Sequence, residues 1–456
     1  MIGARLKFVK RERLLRPVGA NTLGPAMRAE TITFAMLNEA GHLNPTFKLA
    51  QALAERGHHV RYLATDDVAE LIRARGFTVD PLYPDLFPRG VTAADQKLGR
   101  LAQRRAITAR YAALLARLQQ GSPLDVTPSL LVVDVTQTQM ALWARRTKQR
   151  FVYLNTSLPQ TQDPGVPPLR SAAPYGGDTL TRFVPELAWR RFVAQRRTSA
   201  ELAALGGMRP PYDLARAAAA RFGVSTAELE TRVMYMPQLR GVPELVLCPE
   251  PFDFPRAASP DRHYIESSDL TRPEAEFAWA GLARDKPLVY CALGSQRYRA
   301  EDVPGFFARL VEVFRARPDW QLLLAVNQHV AADSLAPPQN VCVVTRAPQL
   351  KVLERAALMI THGGLGSVKE CLMRGVPMVG VPLDVDQPGN VARVLHHQLG
   401  VAADVKHTGQ RDLHQLIGRV LGDVEMRQRV LAMQQRFRQH EAGSRGVELI
   451  EGYARA

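Results

Sequence analysis

Short apolar segments alternate with longer segments of helical periodicity along most of the chain. Residues 31–37 (TITFAML) are apolar and β-prone, and residues 47–57 (FKLAQALAERG) then place apolar side chains at helical spacing. The same order of strand and helix returns at 130–135 (LLVVDV), before a further β-prone segment at 151–156 (FVYLNT). Strands separated by helices usually pair in parallel, because the helix carries the chain back across the sheet. The pattern predicts an α/β fold with a doubly wound parallel sheet.

A second series of strands and helices begins near residue 287. Its β-prone segments are PLVYCAL (287–293), QLLLAVN (321–327), NVCVVT (340–345), LMIT (358–361) and MVGVPL (378–383). The middle region, residues 160–240, shows helical spacing and no regular strand alternation. We therefore predict two doubly wound domains with a ligand cleft between them. The predicted units are a flexible basic extension (1–28), an N-terminal domain (29–248), a C-terminal domain (249–424) and a helical tail (425–456).

The composition is that of an ordinary globular protein and excludes several classes. With 46% hydrophobic and 23% charged residues, the 456-residue chain is neither disordered nor collagen-like nor a coiled coil. No run reaches the roughly 20 apolar residues that span a bilayer, and no signal-peptide pattern is present. The four scattered cysteines, Cys248, Cys291, Cys342 and Cys371, are expected to be reduced core residues. These features predict a cytoplasmic protein.

Positive charge is concentrated in two places. The formal net charge is +15, and residues 1–28 contribute +6 of it, from seven basic residues and one acidic residue. Three explanations are open for that segment. It is a poorly ordered tail, it is not translated because the true start is Met27, or it is a basic arm that binds anionic lipid or RNA. Further basic residues, Lys97, Arg100, Arg104, Arg105, Arg110 and Arg117, lie on helical patterns. They form a solvated face, a peripheral docking surface for anionic membrane, or a grip on an acidic acceptor. A nucleic-acid-binding role would rest on this charge alone, so no nucleic-acid partner is expected.

The densest cluster of candidate binding residues follows the strand at 358–361. A loop, HGGLGS (362–367), leads into a helix, VKECLMRG (368–375). Glycines let the backbone approach a ligand closely, and free amides at a helix start point toward an anion. Ser367 occupies an expected N-cap position, and His362 would donate to the same oxyanion. Because the loop is neither a P-loop nor a GxGxxG fingerprint, the residues alone leave phosphate binding and a tight structural turn open.

Residues 345–391 as a whole resemble the donor-binding signature of the family 1 glycosyltransferases. This UDP-glycosyltransferase-like family has the GT-B fold and includes bacterial enzymes that act on natural products, macrolides and carotenoids. The resemblance is carried by Pro348-Gln349, the HGG at 362–364, Ser367, Glu370, the Gly-Val-Pro at 375–377 and Asp386-Gln387. It extends more weakly over the chain from near residue 30. The resemblance implies two facing Rossmann-like domains with an interdomain cleft. The N-terminal domain (29–248) would bind the acceptor and the C-terminal domain (249–424) the nucleotide sugar, with the helical tail (425–456) packing back toward the N-terminal domain.

The resemblance also implies a role for each position. His362 and Ser367 would hold the diphosphate of a nucleotide sugar, and Glu370 the ribose. Asp386 and Gln387 would bond the sugar hydroxyls, Gln349 would lie by the nucleoside, and the loop at Gly294-Ser295 would lie beside the phosphates. The implied donor-binding set is Gly294, Ser295, Arg346, Gln349, His362, Gly363, Gly364, Gly366, Ser367, Glu370, Asp386 and Gln387.

Two of these positions depart from the family pattern. Arg346 stands where many relatives have Trp, so a guanidinium plane would have to replace the ring that stacks on the base. Gly366 stands where many relatives have Asn, which removes one contact to phosphate or sugar.

The N-terminal half supplies a candidate base and its partner. His42 follows the first strand in a Gly-His turn, and a histidine titrating near neutrality can accept a proton from a hydroxyl. Asp134 ends the strand LLVVDV, at the carboxyl end where sites of doubly wound sheets lie. The resemblance makes His42 the general base and Asp134 the carboxylate that orients it. Their contact requires the predicted fold, since they lie far apart in sequence.

Metal binding and the acceptor site are less strongly indicated. The triplet Asp384-Val385-Asp386 resembles a metal–diphosphate ligand of another glycosyltransferase fold, but its surroundings suit a metal-free site. The pairs His58-His59 and His396-His397 are expected to be structural, so we predict no metal and no cofactor. Candidate acceptor-pocket residues are Tyr83, Phe87, Phe183, Met234 and Tyr235, with core packing as the alternative for each.

The resemblance, together with the His42–Asp134 pair, implies an inverting, metal-independent hexosyltransferase. It would move a hexose, glucose by default, from a UDP- or dTDP-sugar to a hydroxyl of a small lipophilic acceptor such as a natural product or carotenoid. The alternatives are a sugar-nucleotide epimerase and a non-catalytic auxiliary protein on the same fold. The presence of both His42 and Asp134 argues against the auxiliary protein.

Overall fold

A computed structural model gives the fold of the chain. It describes residues 28–178, 180–267, 281–294, 302–327, 330 and 332–456, together with residues 270, 272, 274–277 and 279. All but the last residue of the predicted basic extension (1–28) lies outside the described residues, as does Ser295 of the donor-binding set.

The N-terminal domain is built on a parallel seven-stranded sheet. Its strands are β1 (Thr31–Ala35), β2 (His59–Ala64), β3 (Thr78–Pro81), β4 (Leu130–Asp134), β5 (Phe151–Asn155), β8 (Glu244–Val246) and β9 (Arg262–Tyr264), and a separate antiparallel pair comprises β6 (Leu229–Glu230) and β7 (Gln238–Leu239). The strand order is β3-β2-β1-β4-β5-β8-β9. The order reverses direction between β1 and β4, which places the carboxyl ends of these two strands beside each other.

Eight α-helices lie in the described residues of the N-terminal part of the chain (28–178 and 180–247). They are α1 (Ala40–Leu43), α2 (Phe47–Glu55), α3 (Asp66–Arg73), α4 (Val91–Gln96), α5 (Arg100–Gln120), α6 (Thr138–Thr147), α7 (Phe183–Leu205) and α8 (Pro211–Ala218). The predicted turn after β1 contains the single helical turn α1, and the region predicted to be helical contains α7 and α8.

The C-terminal domain repeats the architecture with a parallel six-stranded sheet. Its strands, β10 (Leu288–Ala292), β11 (Gln321–Ala325), β12 (Val341–Val344), β13 (Ala356–Thr361), β14 (Met378–Gly380) and β15 (Gly400–Ala402), lie in the order β12-β11-β10-β13-β14-β15. Its helices are α9 (Val303–Arg315), α10 (Gln349–Leu353), α11 (Leu365–Arg374), α12 (Gln387–His396) and α13 (Gln410–Gly422). The predicted pair of doubly wound domains is confirmed.

The linker between the domains contributes to both. The predicted boundary at residue 248 falls too early for the N-terminal sheet, because the chain first adds β9 to that sheet's edge. Within the linker, Asp253 is fully buried and accepts from Arg393 Nε of α12 and from Arg256 Nε, each at 2.7 Å. Arg256 continues the network to Asp163 of the N-terminal domain at 2.7 Å. A buried chain of charges therefore ties α12 to the first domain.

The C-terminal tail consists of α14 (Val424–Glu441) and α15 (Arg445–Arg455). Helix α14 packs on α11 of the C-terminal domain, whereas α15 packs on α2 of the N-terminal domain. Glu441 accepts from Lys48 Nζ at 2.6 Å, and Glu451 accepts from His58 Nε2 at 3.0 Å. The predicted return of the tail toward the N-terminal domain is thus what the described residues show for α15.

Other predictions from composition can be compared with this fold. The four cysteines are free, with Cys342 half-buried and the other three buried. Within the described part of the chain, no helix is long and apolar enough to cross a membrane. His58 is buried and hydrogen-bonds Glu451, and His397 hydrogen-bonds the Phe252 carbonyl. These two members of the histidine pairs therefore have structural partners.

Candidate functional site

The site begins with a histidine and an aspartate that two neighbouring strands bring together. His42 lies in α1, directly after β1, and Asp134 is the last residue of β4. His42 Nδ1 lies 2.7 Å from Asp134 Oδ2, although the residues are 92 positions apart. Because Nδ1 faces the carboxylate, Nε2 is the nitrogen left to accept a proton from a substrate. The pair predicted from the sequence is therefore formed by the fold.

Asp134 is held as an anion in a buried position. Burial by itself opposes ionisation, but the charge of His42 and hydrogen bonds from His42 and Thr136 lower the pKa of Asp134 below its ordinary value. Thr136 donates to Oδ1 from its backbone N at 2.9 Å and from its hydroxyl at 2.7 Å. The carboxylate is consequently fixed in orientation and charge, as a partner of an imidazole base must be.

The same contacts act on the imidazole. Burial alone would lower the pKa of His42, but the Asp134 carboxylate, with smaller contributions from Glu39 and Asp386, raises it above 6.5. The side chain remains 24% exposed, so a substrate can reach it. A histidine with these properties can take up a proton during a reaction and hold it as a stabilised imidazolium.

Two residues that the sequence analysis missed connect this pair to the other domain. Thr156 Oγ1 lies 3.0 Å from His42 Nδ1, and Ser157 Oγ donates to Asp386 Oδ2 at 2.9 Å. Asp386 is thereby joined to the N-terminal domain across the cleft. Their position in the sequence could have indicated them, because they directly follow β5 at the carboxyl edge of the sheet, where ligand-binding residues commonly lie.

In the C-terminal domain, on the other side of the cleft, the loop between β13 and α11 packs closely around His362. A Cβ on Gly364 would lie 2.6 Å from His362 Nε2, and a Cβ on Gly294 would lie 3.0 Å from the same atom. Gly294 also has φ +82°, which favours glycine. Burial lowers the pKa of His362, partly opposed by Asp386, so the ring is neutral near pH 7 and offers an N–H rather than a charge.

Helix α11 starts earlier than predicted. Its N-cap is Gly364 and its first residue is Leu365, so Ser367 lies in the first turn rather than at the predicted N-cap. The difference arises because glycine is also an accepted N-cap residue. The free amides of the first turn still face the loop end, where the positive end of the helix dipole favours an anion. Gly366 lies in this turn with nothing within 4 Å of its Cβ position.

Gln349, Ser367 and Glu370 form one hydrogen-bonded group. Gln349 Nε2 donates to Ser367 Oγ at 3.2 Å and to Glu370 Oε2 at 2.6 Å. Arg272 donates to both carboxylate oxygens of Glu370, with NH2 at 3.1 Å from Oε2. The three predicted residues are therefore brought together, and Arg272 is an additional member that the sequence gave no motif to find.

The loop before α12 holds the remaining predicted donor residues. Gln387 Oε1 accepts the backbone N–H of Leu383 at 2.8 Å, and Asp386 also accepts from Asn390 at 3.1 Å. Val385 has φ +59°, an uncommon conformation for a β-branched residue that indicates local strain. Asp384 pairs with Arg170 at 2.5 Å. Among the described residues, no group of three or more His, Cys, Asp or Glu is arranged to hold a metal.

Comparisons with known proteins identify the family. Residues 246–440, which include the loop 362–367 and the strained loop before α12, match the sequence model described as "UDP-glucoronosyl and UDP-glucosyl transferase". The chain is a glycosyltransferase, and these residues carry the sequence signature of this family.

Similar proteins span the full length of this glycosyltransferase. The NDP-glycosyltransferase YjiC of Bacillus subtilis (strain 168) is 23% identical over 439 residues, which cover 94% of this chain and 98% of YjiC. The zeaxanthin glucosyltransferase of Pantoea ananas is 25% identical, with 90% of this chain and 93% of that protein covered. The crystal structure of the glycotransferase of kitacinnamycin has a TM-score of 0.70 at 23% identity, with 93% and 99% of the two chains covered, and shows the GT-B fold.

The predicted acceptor residues of the glycosyltransferase have three different surroundings. Tyr83 and Phe87 pack on the N-terminal core beside α5 and α6. Met234, at 3% exposure, and Tyr235 pack on a core shared with the C-terminal domain, whereas Phe183 is 65% exposed at the start of α7. Met234 is therefore packed in a core, whereas Phe183 lies at the surface of α7, and the acceptor-binding role of the five residues stays a prediction.

Two cavities of the glycosyltransferase lie away from His42 and Asp134. One, of about 730 Å³, is lined by Phe183 and Trp189 with charged residues around them. The other, of about 560 Å³, lies at the amino ends of β1 and β2 and is lined by His58, His59, Arg61 and Arg75. Neither includes His42 or Asp134. Arg346 is exposed at the end of β12, and its predicted stacking role stays a prediction.

Proposed function

We propose that this glycosyltransferase moves a hexose from a nucleotide diphosphate sugar to a hydroxyl group of a small lipophilic acceptor, with inversion at the anomeric carbon. The observation that supports this most strongly is the His42–Asp134 contact of 2.7 Å. It lies across from Asp386, to which Ser157 bonds at 2.9 Å. A base and a candidate sugar-binding carboxylate therefore stand on the two walls of one cleft.

In the proposed reaction, His42 Nε2 accepts the proton of the acceptor hydroxyl. The oxygen forms a bond to the anomeric carbon while the bond from that carbon to the diphosphate oxygen breaks, and its electron pair leaves with the diphosphate. Asp134 keeps the imidazole in one orientation and stabilises the imidazolium that results. A single displacement inverts the anomeric centre, and holding both substrates in one cleft provides proximity.

The leaving diphosphate is proposed to bind the loop 362–367 and the start of α11 without a metal. The first-turn amides of α11, the Ser367 hydroxyl and the neutral ring of His362 supply hydrogen-bond donors there. Glu370 accepts from Arg272 and Gln349, and the ribose hydroxyls would join this group as further donors to the same carboxylate. Asp386 and Gln387 would bond the sugar.

The donor and acceptor classes are proposed from the relatives. YjiC is named for transfer from nucleoside diphosphate sugars, and the Pantoea ananas enzyme is named for glucosylation of a carotenoid. We propose glucose as the default sugar, UDP or dTDP as the nucleotide, and a natural product or carotenoid-like molecule as the acceptor.

The donor proposal is tested by thermal unfolding with UDP, dTDP, UDP-glucose and NAD, each in the presence of EDTA. A ligand at about 100 times its Kd should stabilise the folded state by roughly 2.7 kcal/mol. We expect UDP or dTDP species to raise the Tm and NAD to leave it unchanged. No shift with any nucleotide, or a shift that requires added Mg²⁺, would contradict the proposed site.

Two neighbouring glycines provide a matched pair of variants for the same site. Gly364→Ala places a methyl group 2.6 Å from His362 Nε2, whereas Gly366→Ala meets nothing within 4 Å. We expect Gly364→Ala to weaken UDP binding by about tenfold or more, because the imidazole must move and a misplaced hydrogen bond to a charged group costs about 1.5–3 kcal/mol. Gly366→Ala should bind as wild type. Isothermal titration calorimetry measures both, and equal affinities for the two variants would place the diphosphate elsewhere.

A further inference from the structure

The carboxylate of Glu370 is largely occupied by hydrogen bonds from the protein itself. Among the described residues, Arg272 donates to both of its oxygens, and Gln349 Nε2 donates to Oε2 at 2.6 Å. A carboxylate offers about four acceptor positions, so these three hydrogen bonds leave one position, on Oε1. A ligand that approaches Glu370 therefore finds room for a single further donor.

Arg272 is held in this position from a second side. Its Nη2 lies 3.5 Å from Glu274 Oε1, and Glu274 accepts two backbone N–H groups in the first turn of α10, each at 3.0 Å. Gln349 begins the same helix, so Arg272, the two glutamates and Gln349 form one connected group. The side chains of Glu370 and Glu274 are only 13% and 10% exposed, so the bidentate pair is shielded from solvent and stronger than a surface ion pair. Arg272 is therefore a fixed partner of Glu370.

The place of Glu370 on α11 relates it to the ribose of a bound nucleotide. Glu370 follows Ser367 by three residues, and residues three apart lie on the same face of a helix. The diphosphate is proposed to bind at the start of this helix, and Glu370 lies one turn, about 5.4 Å, further along its axis. In a nucleotide the ribose is attached directly to the diphosphate through its 5′ oxygen. The 2′-OH and the 3′-OH are the two hydroxyls that a ribose then has left to donate to Glu370.

We infer that the donor site binds ribonucleotides and 2′-deoxyribonucleotides equally well, because Arg272 leaves Glu370 with one acceptor position for two ribose hydroxyls. This inference rests on the proposed donor site. Ribose and 2′-deoxyribose both have the 3′-OH, which fills the remaining position in either case. The 2′-OH of a ribonucleotide then has no acceptor on Glu370 and adds no affinity. Arg272 is thereby a specificity-determining residue that extends the donor class from UDP-sugars to 2′-deoxy nucleotides such as dTDP-sugars.

The test is isothermal titration calorimetry of the full chain with UDP and with dUDP, which differ only in the 2′-OH. The wild type should bind the two with affinities within about threefold of each other, because neither gains a hydrogen bond over the other. Arg272→Ala frees both oxygens of Glu370, so it should bind UDP about tenfold or more tightly than dUDP, since the 2′-OH then donates to a charged acceptor. Arg272→Lys keeps the charge but not the planar fork, so it should show a smaller preference for UDP and tests the inference even if the alanine variant does not fold. Arg272→Ala/Glu370→Gln should lose most of the preference, which would assign it to Glu370.

A matched control is Arg374→Ala, at the other end of α11. Arg374 pairs with Glu354 at 2.9 Å, and its side chain is 27% exposed, against 25% for Arg272. This variant should bind UDP and dUDP as the wild type does. A wild type that binds UDP tenfold more tightly than dUDP overturns the inference and leaves the proposed donor site standing. Equal affinities in the variants Arg272→Ala and Arg272→Lys also overturn it, and if both affinities have fallen together they assign Arg272 to the diphosphate. A wild type that binds neither nucleotide contradicts the proposed donor site itself.

Discussion

Replacing His42 with alanine should lower kcat for sugar transfer by about 10²–10⁴-fold, the usual contribution of a positioned general base. The imidazole that contacts Asp134 at 2.7 Å would be lost, and with it the proposed proton acceptor. Nucleotide affinity should stay near wild type, because the loop 362–367 lies in the other domain. Initial rates with a transferable acceptor and calorimetry with UDP measure the two effects separately.

The control for this variant is His59→Ala, which removes an exposed histidine of β2. It should leave kcat and UDP affinity unchanged. If His42→Ala also transferred sugar at nearly the wild-type rate, His42 would not be the base. If it lost nucleotide binding as well, His42 would have a structural role, and its kinetic effect would say little about proton transfer.

The pH dependence follows from the same contact. The base acts when neutral, and the Asp134 carboxylate raises the pKa of His42 above 6.5 against the effect of burial. Activity should therefore fall as the pH drops through that raised pKa. Asp134→Asn removes the largest contribution that raises the pKa, so burial then dominates and the acid limb should move to lower pH, while kcat also falls because the imidazolium is less stabilised. If the acid limb of the pH profile stayed at the same pH in Asp134→Asn, Asp134 would not be the group that sets the pKa of His42.

The largest expected change in stability comes from Asp253→Ala. This carboxylate accepts from Arg393, Arg256 and the Tyr264 hydroxyl at 2.7 Å each, and the two arginines hold its pKa far below its ordinary value although burial opposes this. Removing it leaves buried guanidinium groups without their main counter-charge. Breaking a buried pair in this way costs about 3–5 kcal/mol.

Urea unfolding followed by circular dichroism measures this effect, with Asp319→Ala as the control. Asp319 pairs with Arg317 at the surface, where solvent screens the interaction, and its loss should leave the unfolding midpoint unchanged. A midpoint for Asp253→Ala that equals that of Asp319→Ala would show that the linker network does not contribute to stability. Arg393→Met with Asp253→Ala should recover part of the loss, because it also removes one of the stranded charges.

The sequence predicted the parts of the fold and site that depend on local patterns. The two series of strands and helices gave both sheets, and Asp134 was recognisable because it ends a buried strand. The sequence analysis placed the N-cap of α11 at Ser367, whereas the helix begins at Leu365 after Gly364. Both residue types are acceptable N-caps, so residue type alone does not decide between the two positions. The linker boundary was placed too early because β9 has only three residues, Arg262–Tyr264.

Contacts between distant segments could not be predicted in this way. Arg393 and Asp253 are separated by 140 residues, and neither belongs to a motif. Ser157 reaches Asp386 only because the two domains close on each other, and a single serine after a strand carries no indication of a partner in the other domain. Arg272 likewise joins Glu370 from the linker side, without a pattern that marks it.

The position of α15 has a consequence for how the protein is made. Val447, Ile450 and Ala454 belong to the same buried cluster as β1, β2 and α2, so the core of the N-terminal domain includes a helix that follows the C-terminal domain in sequence. During synthesis, the N-terminal domain emerges before these side chains, because the whole C-terminal domain lies between them in sequence. Its apolar surface on α2 therefore stays uncovered by α15 while the C-terminal domain is being made, and its core is completed only after that domain.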